Sequence, residues 1–147
     1  MEPVPNGVCA IARPGEQLLT LQGGSPPPGT PVALLRPTGN PGEQEWRVAG
    51  LGNGTCTIRS LSSETYLGFE GEPEPNKPIR GFPEPCEWAL HRSSSPRTLY
   101  IAVPGSPIDG PEFVVDLSLL KIFPPRIALR PLDVDNPHQA WTFEFHE

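Results

Sequence analysis

Three histidines (His91, His138, His146) and three cysteines (Cys9, Cys56, Cys86) are the residues of this 147-residue chain best suited to nucleophilic, acid–base or metal chemistry. Their surroundings do not support it. No histidine accompanies a serine or cysteine in a nucleophile motif, and there is no Gly-x-Ser-x-Gly, no phosphate-cradling glycine loop and no His-Glu-x-x-His. The cysteines form no Cys-x-x-Cys pair and the nearest histidine, His91, stands alone, so neither a metal nor any other cofactor is expected. Asp133 and Asp135 share a turn, where carboxylates ordinarily serve local hydrogen bonds. The pattern describes a protein that is not an enzyme, with cysteines acting as small buried apolar residues.

Chemistry of recognition is better represented. The segment Ser118-Leu119-Leu120-Lys121-Ile122-Phe123-Pro124-Pro125 sets one lysine among large apolar residues and braces them with two prolines. If those side chains are exposed they mark a binding surface; if Leu119, Leu120 and Ile122 pack inward, Lys121 is an ordinary solvated lysine. A second pattern recurs along the chain. Gln44-Glu45-Trp46 returns as Gln139-Ala140-Trp141, with a weaker copy, Cys86-Glu87-Trp88, between them. These use all three tryptophans of the chain.

The elements that carry these residues follow from the repeat. Forty-two residues separate Trp46 from Trp88 and fifty-three separate Trp88 from Trp141, near the size of a four-strand unit. Proline and glycine number 22 and 15, and they punctuate short runs rich in β-branched and aromatic residues rather than forming linkers. No stretch of ten residues keeps helical apolar spacing without a proline or glycine inside it, which predicts an all-β chain. The expected strands are 8–12, 17–21, 31–35 and 45–48 in a first lobe, 55–59, 65–68, 77–81 and 87–90 in a second, and 98–103, 113–117, 126–130 and 140–145 in a third. Twelve strands in three similar lobes is the arithmetic of a β-trefoil: six strands close a barrel and six form hairpins that cap it. One domain over residues 1–147 is expected, with lobes of approximately 1–50, 51–94 and 95–147.

A formal charge of −6 and no basic cluster longer than two residues exclude nucleic acid and anionic membranes as expected partners. The first residues, Met1-Glu2-Pro3-Val4-Pro5-Asn6, lack the pattern of a signal peptide and no run reaches transmembrane length, which predicts a cytoplasmic protein.

The Gln-x-Trp repeat, the step Tyr66-Leu67-Gly68 and the terminal Gln139-Ala140-Trp141-Thr142-Phe143-Glu144 resemble small fungal β-trefoil proteins, whose relevant branches are the mushroom peptidase inhibitors and the ricin-B-type lectins. The inhibitor branch implies a rigid surface loop that offers a specificity residue to a protease, and proline in the flanks lowers the ordering cost of such a loop. The loop 22–29 matches the position used by mushroom trypsin inhibitors but has no Lys or Arg. Lys121, with Leu120 and Ile122, is therefore the leading candidate. Arg80 ranks below it, being placed within an expected strand, as does Lys77, which precedes proline. The lectin branch implies an Asp early in a lobe, an aromatic ring and an Asn shortly before Gln-x-Trp; Asp116, Phe123, Asn136 and Gln139 in the third lobe have these types and order. The same Asn136 and Gln139 could instead satisfy backbone groups of the turn. On sequence, a peptidase inhibitor is the first expectation and a carbohydrate-binding lectin with one sugar site the alternative, so the partner is a protease or a glycan.

Overall fold

Short apolar runs between proline-bearing turns form twelve strands: β1 (Gly7–Arg13), β2 (Gln17–Leu21), β3 (Thr30–Leu35), β4 (Trp46–Gly50), β5 (Thr55–Ser60), β6 (Tyr66–Gly68), β7 (Arg80–Phe82), β8 (Trp88–Arg92), β9 (Thr98–Ala102), β10 (Phe113–Leu117), β11 (Ile127–Pro131) and β12 (Trp141–Phe145). The computed structural model describes residues 7–13, 17–21, 30–36, 44–51, 55–61, 64–71, 74, 76–92, 98–104, 113–117, 126–133 and 139–145.

Six of the strands close a ring. β1 pairs with β4, β4 with β5, β5 with β8, β8 with β9, β9 with β12 and β12 with β1, all antiparallel. Closure gives these strands a hydrogen-bonding neighbour on either side and removes the exposed edge that an open sheet would carry. The remaining strands form three hairpins, β2–β3, β6–β7 and β10–β11. The second strands of the hairpins meet one another: β3 pairs with β7, and isolated bridges join Ala33 to Arg126 and Pro78 to Ala128. At their meeting point the Val32 N–H donates to the Ile79 carbonyl (3.2 Å) and the Ile79 N–H to the Ile127 carbonyl (2.9 Å). Val32, Ile79 and Ile127 are each buried at this point of approximate threefold symmetry.

One strand differs from its sequence expectation by more than two residues at an end. The second-lobe strand expected over 77–81 begins at Arg80, and Pro78 makes an isolated bridge to Ala128 of β11 instead. The backbone around it is drawn instead toward β11: the Leu129 N–H donates to the Lys77 carbonyl at 2.8 Å and the Asn76 N–H to the Leu129 carbonyl at 2.7 Å.

The core repeats with the lobes. Ile11, Ile58 and Ile101 come from the first strand of each lobe and Leu19, Leu67 and Val115 from the second, all fully buried. Trp46, Trp88 and Trp141 open β4, β8 and β12 at 0 % exposure. Each indole N–H donates to the carbonyl of the second-strand core residue of its own lobe: Trp46 to Leu19 (3.0 Å), Trp88 to Leu67 (2.9 Å) and Trp141 to Val115 (3.0 Å). The ring supplies a large buried apolar area and its one polar atom is satisfied by backbone. Phe69 adds an edge-on contact to Trp88, with ring centroids 5.8 Å apart.

Cys9 and Cys56 lie fully buried in β1 and β5, and burial pushes each thiol up to about 12, with Cys56 adding to the shift at Cys9. Cys86 is half-buried and its thiol is also raised, chiefly by desolvation. A thiol whose pKa is higher folded than unfolded keeps its proton in the native state while the unfolded chain loses it, so its contribution is intact below the ordinary thiol pKa and is lost as pH rises from about 9 toward 12. Thermal unfolding followed from pH 7 to pH 10.5 is expected to show falling stability above pH 9, with a shallower fall in a Cys9→Ala/Cys56→Ala variant; equal slopes would show that the two thiols do not set this response. Trp141→Phe keeps an aromatic ring but strands the Val115 carbonyl, and is expected to lower the unfolding free energy by about 2–4 kcal/mol in urea titrations.

Candidate functional site

Side chains alternate along a strand, so the residue after each tryptophan-bound carbonyl points away from the core. That residue is Thr20 in β2, Gly68 in β6 and Asp116 in β10. The glutamine position two residues before each tryptophan, Gln44, Cys86 and Gln139, faces it. In lobe three the Gln139 side-chain nitrogen donates to Asp116 Oδ2 (3.2 Å) and to the Pro131 carbonyl (2.9 Å), while its oxygen accepts from the Asp133 N–H (2.7 Å). Asp116 and Gln139 are 8 % and 3 % exposed. Two of the three glutamine bonds therefore hold the turn before β12, and the third fixes a carboxylate.

Lobe one repeats the scaffold without the charge. Gln44 donates to Thr20 Oγ1 (3.0 Å) and to the Arg36 carbonyl (2.8 Å), and the Thr20 hydroxyl donates onward to the Leu18 carbonyl (3.0 Å). Arg36 and Pro131 lie equally far ahead of their tryptophans, so the two carbonyls are equivalent.

Lobe two has lost both partners. Val32 and Ile127 each lie fourteen residues before their tryptophan, but Ile79 lies only nine before Trp88, so the segment that carries the glutamine and its turn is shorter. Cys86 then packs directly on Gly68: a Cβ at Gly68 would meet the Cys86 Cβ at 3.1 Å and Phe82 Cδ2 at 3.3 Å. No acid fits there without movement of its neighbours. Across the ladder the size order is reversed as well. Asp116 pairs with Ala128 and Thr20 with Ala33, whereas Gly68 pairs with Arg80. Beside this hairpin lies a cleft of about 270 Å³ lined by Glu70, Gly71, Lys77, Pro78, Arg80 and Phe82.

Of the residues singled out from sequence, Asp116 and Gln139 are brought together, and Arg80 lies half-buried in β7 rather than on a projecting loop. Phe123, Asn136, Leu120, Lys121 and Ile122 lie outside the described residues. Sequence reasoning missed Thr20 as the counterpart of Asp116, and missed the grouping of Lys77, Arg80 and Phe82. Alternation across Pro78, Arg80 and Phe82 was readable, but the register that sets Arg80 opposite Gly68 was not. Among the described residues no cluster of three metal-ligating side chains forms, and no helix is long and apolar enough to cross a membrane.

The ring, the three hairpins and the threefold repeat decide the architecture. The fold is a β-trefoil. Solved structures agree: the ricin B-like lectin of Macrolepiota procera, determined in complex with lactose, has a TM-score of 0.80 at 21 % identity over 99 % of this chain and 100 % of that one. The agglutinin of Rhizoctonia solani gives 0.81 at 18 % identity over 99 % of both chains. A designed threefold-symmetric protein, ThreeFoil, gives 0.81 at 14 % identity over 95 % of this chain and 99 % of that chain. No protein-family model and no curated protein sequence matches the chain. At these identities the likeness is one of fold.

Gln139→Ala removes the donor to Asp116 and leaves the Asp133 N–H and Pro131 carbonyl to find other partners; a loss of about 1–3 kcal/mol is expected in chemical unfolding. Gln44→Ala should cost a similar amount, and a much smaller effect in either lobe would show that its glutamine does not hold the turn.

Proposed function

We propose that the protein is a carbohydrate-binding β-trefoil whose sugar site lies in lobe three around Asp116. The observation that carries this reading is the Asp116–Gln139 contact: only lobe three places a carboxylate on the outer side of its second strand and fixes it with the Gln-x-Trp glutamine. An ionised carboxylate accepts hydrogen bonds from sugar hydroxyls more strongly than a neutral acceptor does, and a held one loses little ordering entropy on binding. Opposite it, Ala128 has no side chain long enough to cover the acid. In lobe one the hydroxyl of Thr20 is already committed to Gln44 and Leu18, and lobe two has Gly68, so one such site per chain follows. The lectin neighbours, one of them bound to lactose, support this reading over peptidase inhibition.

The inhibitor reading depends on Lys121, Leu120 and Ile122. Arg80 is a poor reactive residue, because a scissile bond must enter the protease cleft and its backbone is tied to Gly68 and Pro31 on either side.

A high-density glycan array with the wild-type chain and Asp116→Asn tests the proposal, the density compensating for the weakness of a lone site. A defined signal that falls at least tenfold in Asp116→Asn and persists in Gln44→Ala is expected. A signal indifferent to Asp116, or no signal together with stoichiometric inhibition of a trypsin-like protease that Lys121→Ala abolishes, overturns it.

A further inference from the structure

The cleft in lobe two has the opposite charge from the lobe-three site. Pro78, Arg80 and Phe82 recur at alternate positions through the start of β7 and line the cleft together, while Gly68, paired with Arg80, is covered by Cys86 and Phe82. Arg80 is half-buried, and among the described residues neither a carboxylate nor a hydrogen-bond acceptor engages its side chain. Lys77 is brought to the same cleft by the turn before it. Asn76 holds a left-handed φ of 61°, a conformation that asparagine tolerates better than most residues, and the Lys77 ammonium lies 3.6 Å from where a Cβ on Gly71 would sit. The Lys77 side chain is 19 % exposed and its ion pair to Glu74 is long at 3.7 Å with the partner largely in solvent, so among the described residues little holds that charge away from a ligand.

A second arginine lies on the same layer by register, outside the cleft lining. Arg126 is bridged to Ala33, two residues along β3 from Pro31, which pairs with Arg80; residues two apart on a strand share a face, so both arginines belong to the outward layer. Arg126 Nε is buried and has no hydrogen-bond partner among the described residues. In a chain of net charge −6, a guanidinium without an acceptor among the described residues and a loosely paired ammonium in one cleft are a local reversal of sign.

We infer that the lobe-two cleft binds the carboxylate of an acidic saccharide, with Arg80 and Lys77 holding the carboxylate, Phe82 lying against the apolar face of the ring and Glu70 at the rim accepting from a hydroxyl. The sugar ring rests on the carbohydrate reading above; the charge selectivity rests on lobe two alone. At about 270 Å³ the cleft falls just below the range of drug-sized sites, of a size for a single ring. Guanidinium and carboxylate pair in a planar fork, which gives the site its preference over neutral sugars.

The test compares methyl β-D-glucuronide with methyl β-D-glucoside, which differ at C6, by nuclear magnetic resonance titration of the whole chain. The glucuronide is expected to bind at least tenfold more tightly, to shift the Arg80 Nε–H and Gly68 amide signals, and to lose its advantage as salt is raised. Arg80→Gln should erase the preference. Lys77→Gln, a change at a residue outside any strand, reads the same site should Arg80→Gln fail to fold, and is expected to reduce the preference severalfold. Asp116→Asn should leave the preference intact. Equal binding of the two glycosides, or a preference that survives both Arg80→Gln and Lys77→Gln, overturns the inference. Absence of the glucuronide preference alongside a retained Asp116-dependent array signal counts against this cleft only, whereas the reverse result counts against the lobe-three site only.

Discussion

An indole N–H bonded to a backbone carbonyl inside the buried core, made three times, is the contact on which the rest of the molecule depends. Trp46, Trp88 and Trp141 each tie the start of a ring strand to the second strand of their own lobe, at 2.9–3.0 Å and without exposure to solvent. A carbonyl left unpaired there would cost more than the bond itself contributes, so strand placement and ring orientation are fixed together. Because Leu19, Leu67 and Val115 are held by these bonds, the residue after each is held too, and it points outward. The core thereby sets three equivalent positions in the layer outside it, whatever side chain each carries.

What differs between the lobes is confined to that outer layer. Thr20, Gly68 and Asp116 stand on equivalent atoms of the scaffold, and their ladder partners are Ala33, Arg80 and Ala128. Lobe one closes its hydroxyl in local hydrogen bonds, lobe three holds a carboxylate, and lobe two exchanges small for large across the hairpin. Chemistry of opposite sign is thus set on one architecture without altering the buried isoleucines and tryptophans beneath it.

The repeat of tryptophan was enough to read the fold, since a large ring at a fixed place in each lobe has a packing role that sequence spacing displays directly. Asp116 and Gln139 were also legible as a pair, because their types and order match a known pattern. Two features were not. The late start of β7 depends on Pro78 turning its neighbours toward β11, a choice between two tertiary partners that no local propensity records. The grouping of Arg80 with Lys77 and Phe82 depends on the cross-strand register between β6 and β7, which no local pattern around Arg80 records.

The ring has a consequence in time. β1 contributes Cys9 through Ala12 to a ladder whose other half is Thr142 through Phe145, at the far end of the described chain. During synthesis at about 5–20 residues per second, that side of β1 waits on the order of 10 s for its partner to emerge. Until then the barrel is an open sheet with an unpaired edge and a core lacking Trp141, the state most prone to pairing with another chain.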